Sequence, residues 1–253
     1  MIPLRDHNPT ARSSVATFTI VALNALAWAL VQGFGTEPSL SNSVCELGVV
    51  PGELLRAAAV GTAVPIAPGV ACVVSDTPNW WTPLTSMFMH GGWFHILGNM
   101  WFLSLFGDNV EDSMGPLRFA VFYVICGLAA VAAQAMVNPA SAIPMVGASG
   151  AIGGVMGAYA VLYPRAPVEM LVVLGFYVDR IVVPAVVMLG YWFLIQLFGG
   201  IPTLAAEGAG VAFWAHIGGF LAGVALVPVF RNRARVESHR AMLRQQWGAR
   251  FHA

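Results

Sequence analysis

Met145-Val146-Gly147-Ala148-Ser149-Gly150-Ala151-Ile152-Gly153-Gly154 is a run of small residues that carries one hydroxyl into an apolar stretch reaching residue 163. Glycine and alanine let helix backbones touch, so the run on its own reads as a packing seam. A serine set among glycines can also be a reactive group, and it then needs a base, because a hydroxyl at its free pKa is a poor nucleophile. Two other segments bear on that choice. His90-Gly91-Gly92-Trp93-Phe94-His95-Ile96-Leu97-Gly98-Asn99 precedes the run, and Ala215-His216-Ile217-Gly218-Gly219 follows it.

The chain has 253 residues, 58% hydrophobic and 9% charged, with a mean hydropathy of +0.73. That is not the composition of a soluble surface, and it predicts an all-α, polytopic membrane protein in contact with a lipid bilayer. Twelve basic residues, all arginine, balance twelve acidic ones, so no net field favours nucleic acid. Residues 15–31, 84–106, 117–137, 148–163, 181–198 and 211–230 read as six spans. At about 1.5 Å per residue, roughly 20 residues cross a hydrocarbon core of about 30 Å. The expected organisation is a polar tail over residues 1–14, a six-helix membrane domain over 15–230 and a basic tail over 231–253, weakly structured or lying on anionic lipid. The first span follows a polar segment without a small-residue cleavage site, so a cleavable signal peptide is not expected.

Between the spans, residues 33–81 form a long loop punctuated by prolines, with one or two short interfacial helices expected in 47–60. Residues 107–118 read as a tight polar connection, 138–146 as a proline-broken loop, 164–180 as a mixed connection and 199–210 as a glycine-rich loop. Eleven of the twelve arginines fall in the tails and even-numbered loops, with Arg56 alone opposite. The positive-inside rule then puts both termini in the cytosol and the openings of spans two, four and six at the outer leaflet of a cell (inner) membrane.

This topology gives Ser149, about one turn into span four, and His216, about five residues into span six, a similar depth. Gly153 and Gly157, with Gly219 and Gly223, are small-xxx-small rows that allow the two helices to meet. An ionisable group inside a bilayer is costly and points to function. His95 and Asn99, spaced i, i+4, share one face of span two and can both donate to one point. An acyl-transfer oxyanion needs such donors, together with amides at a helix amino terminus like that beside Ser149. His90 reads as a structural donor to the first loop, Trp80, Trp81 and Trp93 as interfacial anchors, and Cys126 as a core residue. His90, His95 and His216 lack a carboxylate or thiolate at metal-binding spacing, and no cofactor is expected. Cys45 and Cys72 share the extracytoplasmic loop, where a disulfide is permitted. With no carboxylate in reach on any span, His216 is expected to be oriented by packing around Gly153 and Gly219.

Over roughly residues 81–230 these motifs resemble the rhomboid family of intramembrane serine proteases. The resemblance rests on the His90 to Asn99 segment, on Gly147-Ala148-Ser149-Gly150, and on Ala215-His216-Ile217-Gly218-Gly219 followed by Gly223. It implies a six-span bundle with a catalytic dyad of Ser149 and His216. It assigns His95 and Asn99 to an oxyanion hole, with Gly147 as the first glycine of the serine motif. It also implies a partly embedded first loop, and movement of span five and of residues 199–210 to admit a transmembrane-helix substrate. Thr82, Ser113 and Gly153 stand where many members have arginine, arginine and, in some, tyrosine. The alternatives are a non-catalytic binder of membrane helices, which has no need of both Ser149 and His216, and a transporter, for which no inverted repeat is visible.

Overall fold

The computed structural model describes residues 2–204 and 211–250. In chain order these are β1 (Ile2–Asp6), α1 (Val15–Leu30), α2 (Ser39–Leu47), α3 (Pro51–Leu54), β2 (Ala63–Ala67), β3 (Val70–Val73), α4 (Thr82–Thr85), α5 (Trp93–Met114), α6 (Pro116–Val137), α7 (Ser149–Leu162), β4 (Pro167–Leu174), β5 (Tyr177–Pro184), α8 (Ala185–Gly200), α9 (Phe213–Phe230) and α10 (Arg233–Arg250). The fold is mainly helical, but the all-α expectation needs correction, because β1, β4 and β5 form one sheet and β2 and β3 another.

The middle of the bundle is α7. Its residues from Gly150 to Tyr159 are buried almost without a break, and α9, α6, α5 and α8 all pack against it. Helices α6 and α9, and the stretch Ala185–Leu204 that begins with α8, are long and apolar enough to cross a membrane, while α1 and α7 are shorter apolar helices.

Several boundaries differ from the sequence expectation. The segment read as the start of span two is α4 plus a 3-10 turn at Ser86–Phe88, and α5 begins only at Trp93. It then runs through Asp108, Glu111 and Asp112, so the expected connection 107–118 shrinks to Gly115 at φ 89, with Pro116 opening α6. Glycine after a helix and proline at a first helical position are the favoured breakers. The acidic residues there are partners for the amino-terminal segment, not marks of a loop. Glu111 accepts the Ala16 and Thr17 amides at 2.9 and 2.7 Å and the Thr17 hydroxyl at 2.8 Å, which caps α1. Asp112 accepts the Ala11 amide and an Arg12 guanidinium N–H, each at 3.0 Å. Arg12, from the amino-terminal segment, is thus the cationic partner of Asp112.

Residues 1–14 are therefore not a free tail. β1 pairs antiparallel with β4, which pairs with β5. The expected mixed connection 164–180 is this hairpin, rich in β-branched residues and turned by Gly175 at φ 61 with Phe176. Val168, Met170 and Val172 alternate onto the buried face. The hairpin takes residues through 184, so α8 starts after Pro184 instead of at 181. The basic tail is also ordered over α10, which buries Val236 and holds the Pro9 carbonyl with His239 Nε2 at 2.9 Å. Residues 205–210 of the expected loop 199–210 lie outside the described residues.

Next to this sheet, Asp6 accepts the Tyr159 hydroxyl at 2.6 Å, and Asn8 donates to the same hydroxyl at 3.2 Å. Burial raises the Asp6 pKa from its ordinary 3.8 to about 7, opposed by the Tyr159 hydrogen bond and aided by Asp108. Between those two values the folded protein holds a proton that the unfolded chain has lost, so this group makes stability fall as pH rises through the window. Asp6→Asn removes that slope. Thermal midpoints in detergent from about pH 4 to about pH 7 should fall in the wild type relative to the variant, and parallel curves would contradict the assignment.

On the opposite side of the bundle, Cys45 and Cys72 are joined in a disulfide. Val49 and Met145 exchange backbone hydrogen bonds at 3.0 and 2.8 Å, and the Gly52 amide donates to the Ser141 carbonyl at 2.7 Å. The long first loop, which holds α2 and α3 and the β2–β3 hairpin, thereby fixes the segment leading into Ser149.

Candidate active site

Ser149 is the first residue of α7, not one turn inside it, and His216 is the fourth residue of α9. The two helices meet on bare backbone. A Cβ added at Gly219 would run into the Gly150 carbonyl oxygen, one at Gly223 into that of Gly154, and one at Gly157 into that of Phe220. At this approach His216 Nε2 lies 2.8 Å from Ser149 Oγ.

His95 and Asn99 arrive from α5 and line the same cavity of about 610 Å³ as Ser149 and His216. His95 Nδ1 accepts the Gly91 amide at 3.2 Å, which leaves Nε2 as the protonated nitrogen. That nitrogen faces Gly147, where an added Cβ would stand 2.6 Å from it, and Gly147 has φ 125. Glycine is therefore required there both by the backbone conformation and by the imidazole. The Asn99 amide nitrogen is buried and has no protein partner, so a donor is left open. The amino terminus of α7, with Ala148 as its cap residue, has no side-chain cap, and its first amides lack intrahelical acceptors.

The other residues singled out in the sequence behave differently. His90 meets the first loop through its backbone: its amide donates to Gln32 Oε1 at 2.8 Å and its carbonyl accepts Gln32 Nε2 at 2.9 Å. Its ring packs edge-on to His95 at 5.1 Å. Trp80, Trp81 and Trp93 are exposed and Cys126 is fully buried. Among the described residues, no group of three or more His, Cys, Asp and Glu side chains is arranged to hold a metal ion.

His216 is not oriented by packing alone. Its Nδ1 lies 2.8 Å from Gln196 Oε1, and the Trp192 ring lies tilted against its own at 5.9 Å. A side chain at Gly153 would crowd the His216 carbonyl oxygen, 3.0 Å from the added Cβ. The aromatic neighbour of the histidine comes from α8 instead. Sequence reasoning missed both residues, although an amide at 196 inside an apolar span, four positions after a tryptophan, was a usable signal.

The bundle holds a half-buried serine within hydrogen-bond reach of a half-buried histidine, with His95 and Asn99 lining the same cavity, and its long apolar helices are those of an integral membrane protein. A family model described as "Rhomboid domain" matches residues 77–233, and the chain belongs to the rhomboid family. "Rhomboid-like protein 11, chloroplastic" of Arabidopsis thaliana is 32% identical over 155 residues, covering 59% of this chain and 52% of the relative. "Rhomboid protease GluP" of Bacillus subtilis is 32% identical over 142 residues, covering 51% of this chain and 26% of the relative. "Inactive RHOMBOID-like protein 8" of Arabidopsis thaliana is 32% identical over 85 residues, covering 34% and 24%. The matched segments thus span about half or less of these relatives' own length.

Proposed function

We propose that this chain is an intramembrane serine endopeptidase that cleaves transmembrane segments of other proteins near the extracytoplasmic face. The observation that carries the reading is the 2.8 Å contact between Ser149 Oγ and His216 Nε2, within a cavity that His95 and Asn99 also line. In the proposed mechanism His216 takes the hydroxyl proton as Ser149 attacks the scissile carbonyl, then returns it to the leaving amine. The oxyanion is held by His95, Asn99 and the first amides of α7, whose partial positive charge favours it. Water then releases the acyl group from Ser149 by the same proton route in reverse. A helical substrate keeps its carbonyls hydrogen-bonded, so clients need small or helix-breaking residues that lower the cost of unwinding.

The accompanying topology is six spans with both termini cytosolic, a membrane domain over residues 15–230, and the cavity opening outward. The arginine distribution supports it. The shortness of α7, whose 14 residues cover about 21 Å at 1.5 Å per residue, fits a serine that begins its helix below the membrane surface. A non-catalytic binder of membrane helices is the competing reading, since an inactive relative is among those matched. Labelling of detergent-solubilised protein by a fluorophosphonate, absent in Ser149→Ala, is the expected outcome and separates the two. Equal labelling of both proteins would remove Ser149 as the nucleophile. Asn99→Ala should slow cleavage by on the order of 10² to 10³ with little change in stability, because one oxyanion donor is lost while the others remain. Cleavage kinetics in proteoliposomes test this, and a wild-type rate would take Asn99 out of the oxyanion site.

A further inference from the structure

We propose that Gln196 is a positioning residue for the base. It holds His216 in the tautomer and orientation from which Nε2 can take the Ser149 proton, a role that rests on the serine hydrolase reading above. Gln196 is buried on α8, and its two amide atoms are distinguishable by their partners. Nε2 donates to the Trp192 carbonyl oxygen at 3.4 Å, and a carbonyl can only accept, so Oε1 is the atom facing His216 Nδ1 at 2.8 Å. An amide oxygen only accepts, so Nδ1 must carry the ring proton. Nε2 is then left with its lone pair directed at Ser149 Oγ, 2.8 Å away. In serine proteases that use a triad, a carboxylate accepts the hydrogen bond from this Nδ1–H. Here a neutral amide fixes the tautomer without placing a second charge in the membrane, where charge is costly.

Trp192 and Gln196 are four residues apart on α8 and hold the same imidazole, one against its ring at 5.9 Å and the other at Nδ1. Helix α8 is in turn pinned to the start of α9 at its far end. Side chains at Gly199 or Gly200 would crowd Phe213 or Trp214, and the Trp214 indole donates to Thr203 at 3.2 Å. The orientation of the base therefore depends on α8 lying against α9. Among the described residues, the groups facing His216 are Ser149 from α7, His95 from α5 and Gln196 with Trp192 from α8, and α6 presents the neutral Gln134 to the same cavity.

The test compares full-length wild type, Gln196→Met, Gln196→Glu and Ser149→Ala in proteoliposomes with a model transmembrane substrate. Gln196→Met keeps the length and removes the acceptor. It should lower kcat by on the order of 10- to 100-fold, with KM within about twofold of wild type. Gln196→Glu restores an acceptor at the same position and should recover most of that kcat. If Gln196 only joins helices, methionine would lower the thermal midpoint and leave kcat of the folded protein unchanged, which overturns the proposal. Failure of glutamate to recover kcat beyond the methionine level also overturns it. Wild type that cleaves no better than Ser149→Ala removes the hydrolase reading and this role together, whereas wild type that cleaves beside an equally active Gln196→Met removes this role alone.

Discussion

Ser149→Ala is expected to abolish cleavage of a transmembrane substrate, with a loss on the order of 10⁴ to 10⁶ in rate, while the thermal midpoint stays at the wild-type value. Alanine removes the oxygen that lies 2.8 Å from His216 Nε2 and leaves the helix amino terminus intact. The stability control is meaningful because the Ser149 side chain caps no helix and makes no other hydrogen bond among the described residues. His216→Ala should cost nearly as much, and the double variant little more than either single one, since nucleophile and base act as a unit. Purified Ser149→Ala protein cleaving at the wild-type rate would return the small-residue run to a packing seam and nothing else.

The second large effect concerns folding. Gly219→Ala and Gly223→Ala each force a methyl group onto a carbonyl oxygen of α7, that of Gly150 or Gly154. Backbone cannot move aside as a flexible side chain can, so α7 and α9 must separate. The gain of about 1 kcal/mol in helix propensity from glycine to alanine is outweighed by an expected loss of about 3 to 5 kcal/mol, the range of severe core disruption. Activity should fall with it, because Ser149 and His216 sit on the two helices being pushed apart. Gly98→Ala and Gly190→Ala are the controls, since an added Cβ at either position meets nothing within 4 Å. Chemical denaturation in mixed micelles would measure all four, and equal stability of the Gly219 and Gly98 variants would show that the helices are not held by this contact.

The parts of the fold and candidate site that were legible in the sequence have local or periodic signals. Ser149, His216, His95 and Asn99 are polar intrusions into apolar stretches, and the glycine rows at 153, 157, 219 and 223 announce a close crossing. The hairpin of β4 and β5 was hidden because an apolar run too short to cross a membrane was read as a connection, although its β-branched content and Gly175 pointed to strands. The run of α5 past residue 107 was hidden for the opposite reason. Glu111 and Asp112 resemble loop residues until Thr17 and Arg12, nearly a hundred positions earlier, are seen to satisfy them. Gln196 belongs to the same class, since an amide in a span says that it needs a partner but not which one.

The pairing of Ile2 with Leu171 also sets an order of assembly. A chain is made from its amino to its carboxyl terminus, so β1 leaves the ribosome ahead of the helices that follow it, yet its partner β4 does not exist until α7 has been synthesised. Until then the segment waits unpaired, and the loop it must finally close encloses most of the bundle, the kind of distant contact that slows folding. Docking of β1 is thus a late event that reports completion of the helices between, and a segment made before the bundle finds its place after it.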